Sequence, residues 1–164
     1  MVNIRDAVLE DLPGMLKIYN DAVKNLTATF DLEEYSLEQR TVWFHQHGGR
    51  FPLIVAMKDD VVAGYCCLSP YRDKPAYSRS SELSIYISKG FRGKGIGTLL
   101  MKEIINRAKL LRYHTLIGGI TSGNEASVKL HKKFGFTFIG RFKEVGFKFE
   151  EWQHVDFYQL IFAD

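Results

Sequence analysis

Hydrophobic positions change period repeatedly along the chain, and each change marks an element. Residues 3–8 (NIRDAV) read as a short strand. Met15, Leu16, Ile18, Tyr19, Ala22 and Val23 then recur at helical spacing, behind Asp11 as a candidate N-cap and Pro13 in the first turn. Ser36 with Gln39 three residues on is a capping-box pattern, predicting a helix to about His47 that Gly48 and Gly49 end. The apolar runs 53–57 and 61–68 are strand-like, and the short Lys58-Asp59-Asp60 link predicts an antiparallel hairpin. In the strand 83–88, Leu83, Ile85 and Ile87 fall on one face, Ser84, Tyr86 and Ser88 on the other. Ile96, Leu99, Leu100, Ile104, Ala108 and Leu111 mark a long amphipathic helix. Residues 115–121 read as a strand, Asn124 opens a helix through Phe134 that Gly135 stops, and 136–145 and 157–162 are aromatic-rich strands. The predicted order is β-α-α-β-β-β-α-β-α-β-β, a mixed α/β pattern.

Composition narrows the function classes. The 164 residues fit the range of about 100–200 for one domain, so 1–164 is read as a single domain. Hydrophobic residues at 46% and charged residues at 25% exclude a disordered chain. The net charge of +3 is too mild to predict nucleic-acid binding. No apolar run reaches the ~20 residues of a membrane span, and the N-terminal MVNIRDAVLEDL is charged where a signal peptide needs an apolar centre. A cytoplasmic protein with no membrane or nucleic-acid partner is expected. Cys66 and Cys67 are adjacent, so on a strand they face opposite ways; they read as buried reduced thiols, and no metal site is expected.

The sequence between the central strand and the long helix carries the chemistry: Lys89-Gly90-Phe91-Arg92-Gly93-Lys94-Gly95-Ile96-Gly97-Thr98. Alternating glycines before a helix let backbone N–H groups converge on an anion, and Arg92 and Lys94 add positive charge. A phosphate ligand follows. Ile96 after Gly95 breaks the Walker A pattern, and the G-x-G-x-G spacing without a following acidic residue breaks the dinucleotide fingerprint. A tight strand-to-helix turn with no ligand is the competing reading.

Arg92-x-x-Gly95-x-Gly97 resembles the pyrophosphate-binding motif of the GNAT superfamily of N-acetyltransferases. The segment from Ser122 and Asn124 through Ser127, Leu130 and His131 to Phe134-Gly135-Phe136 is similar to the second signature of that family, and the element order matches along the chain. Residues 71–77, 82–87, 127–131 and 140–148 with Trp152 resemble the phosphinothricin/methionine sulfoximine N-acetyltransferase branch. Lys74 and His154 depart from it, standing where Arg and Asp are common. A point charge in place of a guanidinium fork changes how a carboxylate can be held.

The resemblance implies a GNAT-like acyl-CoA N-acyltransferase fold, with about six to seven strands in a mixed central sheet flanked by helices. It implies acetyl-CoA as co-substrate and acetyl transfer to the α-amine of a small amino acid analogue such as phosphinothricin, methionine sulfoximine or methionine sulfone. It also implies a homodimer and a role in antibiotic or herbicide resistance. A family member acting on a peptide N-terminus or polyamine, and a non-catalytic acyl-CoA sensor, are the alternatives.

Amine attack on a thioester needs a neutral amine, a stabilised oxyanion and a proton for the thiolate. Glu82 matches the family's proposed base; on spacing alone it is equally a strand-end charge paired with Arg79. His131 stands where many members have a proton-donating Tyr; alone it reads as a helix histidine on a seam with Asn124 and Ser127. Cofactor binding is implied for Ile85, Tyr86, Ile87, Arg92, Gly93, Lys94, Gly95, Ile96, Gly97, Thr98 and Asn124. Arg72, Lys74, Pro75, Ala76 and Tyr77 would hold an anionic substrate, or form only a solvated basic loop, and Phe30 would wall the side chain.

Overall fold

The computed structural model describes residues 1–163. Among these, seven strands are β1 (Asn3–Asp6), β2 (Leu53–Lys58), β3 (Val61–Pro70), β4 (Ser80–Ile87), β5 (Thr115–Thr121), β6 (Thr137–Lys148) and β7 (Glu151–Ile161). The four α-helices are α1 (Leu12–Asn25), α2 (Leu37–His45), α3 (Ile96–Leu110) and α4 (Glu125–Lys133). The strands form one sheet in the order β1-β2-β3-β4-β5-β7-β6. Every neighbouring pair is antiparallel except β4 and β5. Parallel neighbours need a long crossover, and α3 supplies it.

Alternation along the strands divides the core. Ile54, Ala56, Cys66, Leu68 and Leu83 pack with Ile96, Leu100, Met101 and Ile104 of α3 on one face. Leu53, Val55, Tyr65 and Cys67 pack with Leu12, Met15 and Ile18 of α1 on the other. The adjacent cysteines therefore serve opposite cores, as their positions predict. Burial pushes both thiols up in pKa, Cys67 to about 11.

α2 is fastened by a cation. The buried Arg40 guanidinium lies 3.9 Å from the Tyr19 ring centre and 3.6 Å from that of Trp43. Its Nη2 donates to the Tyr65 hydroxyl at 3.3 Å, and Tyr65 stacks on Tyr86 at 5.3 Å. The Ser36–Gln39 capping box opens α2 as predicted.

Some local expectations are corrected. Asp11 does not cap α1 with its side chain. Its buried carboxylate accepts from Val8 N at 2.8 Å and from both Arg5 nitrogens at 2.7 and 2.9 Å, so a charge partner and the preceding turn claim it. β4 begins at Ser80 rather than at residue 83, because 80–82 pair in parallel with Thr115, Leu116 and Ile117. β6 and β7 extend to Lys148 and from Glu151, because Phe149 and Glu150 take left-handed φ values of 55° and 61° and make a tight hairpin without glycine.

Leu100 has no exposed surface, whereas its neighbour Leu99 is 42% exposed. Leu100→Ala is expected to cost about 2–5 kcal/mol in urea unfolding. Leu99→Ala is expected to cost under about 1 kcal/mol, and equal losses at the two positions would contradict the assigned helix face.

Candidate active site

The site begins where two strands stop pairing. β4 and β5 keep register through Ser80–Thr115, Ser81–Leu116 and Glu82–Ile117, and then part. Both strands continue, to Ile87 and Thr121, so the sheet opens into a V with Glu82 at its apex. Two cavities occupy the opening.

The larger, about 430 Å³, is lined by Ile85, Tyr86 and Ile87 of β4, by Arg92, Gly93 and Gly95, by Ile96, Gly97 and Thr98 at the start of α3, and by Asn124. Ile18, Ala22 and Leu26 floor it at a spacing of four residues along α1 and just beyond its end. Ala126, Lys129, Leu130 and Lys133 close it from α4. Gly93 and Gly95 adopt φ values of 73° and 82°, and a Cβ at either would meet nothing within 4 Å. They turn the chain left-handed and leave bare backbone on the open side. Gly95 is the N-cap of α3 and supplies no side chain to its amides. Those amides, the positive end of the helix dipole and nearby cations suit a phosphate group. Arg92 Nε donates to Ile87 O at 3.2 Å and its guanidinium approaches Asp21 at 3.9 Å. Lys94 is exposed, near the Phe91 ring, and does not line the cavity. Lys133 Nζ instead reaches Thr98 Oγ1 at 3.3 Å.

The smaller cavity, about 80 Å³, shares Ala28, Ile85, Tyr86, Asn124 and Ser127 with the first and adds Leu83, Ser84, Gly119, Ile120, Thr121 and His131. Asn124 Oδ1 accepts from Ser127 N at 3.3 Å, the predicted cap of α4. His131 is 2% exposed, with Nδ1 at 2.7 Å from Ser127 O. A carbonyl only accepts, so Nδ1 carries the hydrogen and the neutral ring keeps a lone pair at Nε2. Burial lowers the His131 pKa, which the Ser127 carbonyl opposes in part. Gly118 makes room for this ring, since a Cβ there would stand 2.9 Å from Nε2.

Glu82 lies solvent-accessible at the apex. Desolvation by the surrounding protein raises its pKa, and Arg72 pulls it back in part. Arg79, the partner suggested by spacing, instead donates from Nε to Arg112 O at 3.1 Å. Of the basic loop, Arg72 is thus brought into electrostatic range of Glu82, while Lys74, Pro75, Ala76 and Tyr77 are exposed and line neither cavity. Phe30 is half-buried against Gly146 rather than on a cavity wall. Ala28 takes the place beside both cavities. The sequence pattern does not point to it, nor to Lys129 and Lys133 as cavity residues. Their i, i+4 spacing facing the glycine loop was a usable signal, whereas nothing local marks Ala28.

Similarity to known proteins agrees with this geometry. Residues 4–156 match the model of the acetyltransferase (GNAT) domain. The chain is 38% identical over 162 residues to phosphinothricin N-acetyltransferase of Streptomyces coelicolor, covering 96% of this chain and 95% of that one. It is 38% identical over 160 residues to the L-methionine sulfoximine/L-methionine sulfone acetyltransferase of Pseudomonas aeruginosa, covering 96% and 93%. The crystal structure of a phosphinothricin acetyltransferase from Sinorhizobium meliloti in complex with AcCoA superposes with a TM-score of 0.95 at 34% identity, covering 99% and 89%.

The Glu82 environment can be tested without turnover. In a carbon-detected NMR titration the carboxyl midpoint is expected above the ordinary 4.5, and Arg72→Ala should raise it further, because that cation favours the carboxylate. A midpoint at or below 4.5 in the wild type, or a downward shift in the variant, would contradict the assignment.

Proposed function

This chain belongs to the GNAT acetyltransferase family, and from that premise we propose that it moves an acetyl group from acetyl-CoA to the α-amine of a small amino acid analogue. Phosphinothricin, methionine sulfoximine and methionine sulfone are the substrates in view. The single observation that carries the reading is the V between β4 and β5. It sets Glu82 at the apex, the glycine loop at the open end and His131 on the wall. Bare backbone at Gly93 and Gly95, beside a cavity of about 430 Å³, fits the pyrophosphate and pantetheine of coenzyme A.

When bound, acetyl-CoA supplies the acetyl group as a thioester. The backbone of residues 93–98 would hold its pyrophosphate, with Arg92 and Lys94 adding charge. The free edge of Ile85, Tyr86 and Ile87 would bind the pantetheine arm, and an amide near Ile87 would meet the charge that develops on the carbonyl oxygen. Asn124 would add a hydrogen bond besides capping α4. Glu82 takes the proton of the incoming ammonium, directly or through a water; a carboxylate raised by burial is the better base for it. His131 holds a proton at Nδ1 and can accept another at Nε2. Its part is to relay a proton to the departing sulfur, not to carry a standing charge. Arg72, with Lys74, Pro75, Ala76 and Tyr77, would face the carboxylate or phosphinate of the substrate, and an anionic substrate suits that charge better than a polyamine does.

A homodimer belongs to the same reading. Phe138, Phe142 and Phe147 of the edge strand β6 and Trp152 of β7 are each at least 53% exposed. Exposed aromatic side chains along a free sheet edge mark a surface that another chain covers. Sedimentation at twice the chain mass is expected, with Phe142→Glu shifting it toward one chain. A wild type that sediments as one chain would remove this part of the reading.

The activity test uses purified protein, acetyl-CoA and a panel of amino acid analogues, peptides and polyamines, with thiol release as readout. Release with the analogues is expected. Release only with peptides or polyamines reassigns the substrate, and tight coenzyme A binding without release points to a sensor. Glu82→Gln should lower kcat by about 10²-fold or more, with the KM for acetyl-CoA changed less than about threefold. The acid limb of the wild-type pH profile should lie above 4.5, since a base with a raised pKa loses its function at a higher pH.

A further inference from the structure

Three consecutive carbonyls in the segment between α1 and α2 are held from three different strands. Thr121 Oγ1 of β5 donates to Thr27 O at 2.6 Å. Tyr86 Oη of β4 donates to Ala28 O at 3.4 Å. Lys148 Nζ of β6 donates to Thr29 O at 2.8 Å. The middle residue, Ala28, lines both cavities. The next, Phe30, rests on Gly146, where a Cβ would stand 2.4 Å from its ring. Further on, Asn20 and Tyr35 exchange two 2.9 Å bonds, and the Tyr19 hydroxyl bonds Asp31.

Lys148 is the unusual member. Its side chain is buried, 3% exposed, and among the described residues its ion pairs are none: it forms no contact of 4.0 Å or less with a carboxylate. Burying a cation is costly unless hydrogen bonds replace its water. Here the replacements are Thr29 O and, at 3.4 Å, Ala22 O in the last turn of α1, where the helix dipole favours positive charge. Desolvation lowers its pKa, and the charge of Asp31, in the same segment, opposes this in part. One ammonium thus joins the end of α1, the segment after it and the β6–β7 hairpin. Gly146, two residues earlier on the same strand face, receives the Phe30 ring.

We infer that Lys148 is a positioning residue, holding residues 27–31 in place through the Thr29 carbonyl so that the β6–β7 hairpin, which lines neither cavity, fixes the wall that Ala28 gives to both. The inference rests on the acetyltransferase reading above and deepens it. Ala28 lines the cofactor cavity, as does Ala22, whose carbonyl Lys148 also holds, so binding of acetyl-CoA and of the amine should both weaken when this contact is lost.

The test replaces the ammonium by an unbranched apolar chain in Lys148→Met, a swap that buried charges often tolerate without loss of stability. Amide hydrogen exchange at 27–31 should accelerate at least tenfold while the amides of α3 do not change. The KM values for the amine and for acetyl-CoA should both rise about tenfold, with kcat within twofold. Lys148→Arg, which keeps the donors, should restore amine KM to within threefold of the wild type. Unchanged exchange and unchanged amine KM in Lys148→Met would overturn the inference. So would a uniform rise in exchange, α3 included, with kcat falling alongside, the mark of general destabilisation. If Lys148→Met does not fold, Gly146→Ala decides, because displacing Phe30 should accelerate exchange at 27–31 while the amides of α3 do not change, and unchanged exchange there overturns the inference. Exchange needs no turnover. A wild type that acetylates no amine therefore defeats the acetyltransferase reading alone, while exchange at 27–31 still decides what Lys148 holds.

Discussion

A parallel pair of strands that pairs for only three residues governs this molecule. Parallel strands cannot be joined by a hairpin, so α3 must cross between β4 and β5, and its N-terminus arrives at the end of β4 where the strands have separated. The crossover delivers a helix dipole to the gap, and the separation leaves strand backbone without a partner beside it. Both are costs within an isolated fold, since buried backbone groups need partners. A ligand with a phosphate end and an amide-rich arm would supply what each lacks. The sheet flaw and the helix terminus are thus one device, assembled by topology.

Burial acts on Glu82 and His131 at this gap in opposite directions. It raises the carboxyl of Glu82 and lowers the imidazole of His131. In each case the neutral form gains. A carboxylic acid and an imidazole ordinarily sit about two pKa units apart; the two directions narrow that gap. Arg72 and the Ser127 carbonyl each oppose the shift of the group they face.

Local pattern carried most of the architecture and part of the site. The period-two alternation through residues 83–88 correctly separated Leu83, Ile85 and Ile87 from Tyr86, because a strand buried on both faces still assigns its side chains to two cores. Asn124 was legible as a cap since its hydrogen bond spans only three residues. What escaped is non-local or defies propensity. The full hairpin of β6 and β7 turns on Phe149 and Glu150, residue types that seldom take left-handed φ. Asp11 has the identity of a cap but is captured by Arg5. Spacing suggested Arg79 for Glu82, whereas register brings Arg72 near it and sends Arg79 to Arg112. Ala28 and Lys148 matter through contacts more than 50 residues away, to Tyr86 and Thr29, which no window along the chain contains.

The paired cysteines of β3 have a practical consequence. They are the only two in the chain, each sealed in a different core, with thiols that stay protonated at neutral pH. The thiolate is the reactive form, so the folded protein is silent toward thiol-selective dyes. Any colour developed in a folded sample therefore comes from sulfur released in solution. The same silence makes dye uptake by the protein itself a clock for opening of the core. Because the two residues face opposite sides of one sheet, labelling of one before the other would reveal which side lets go first.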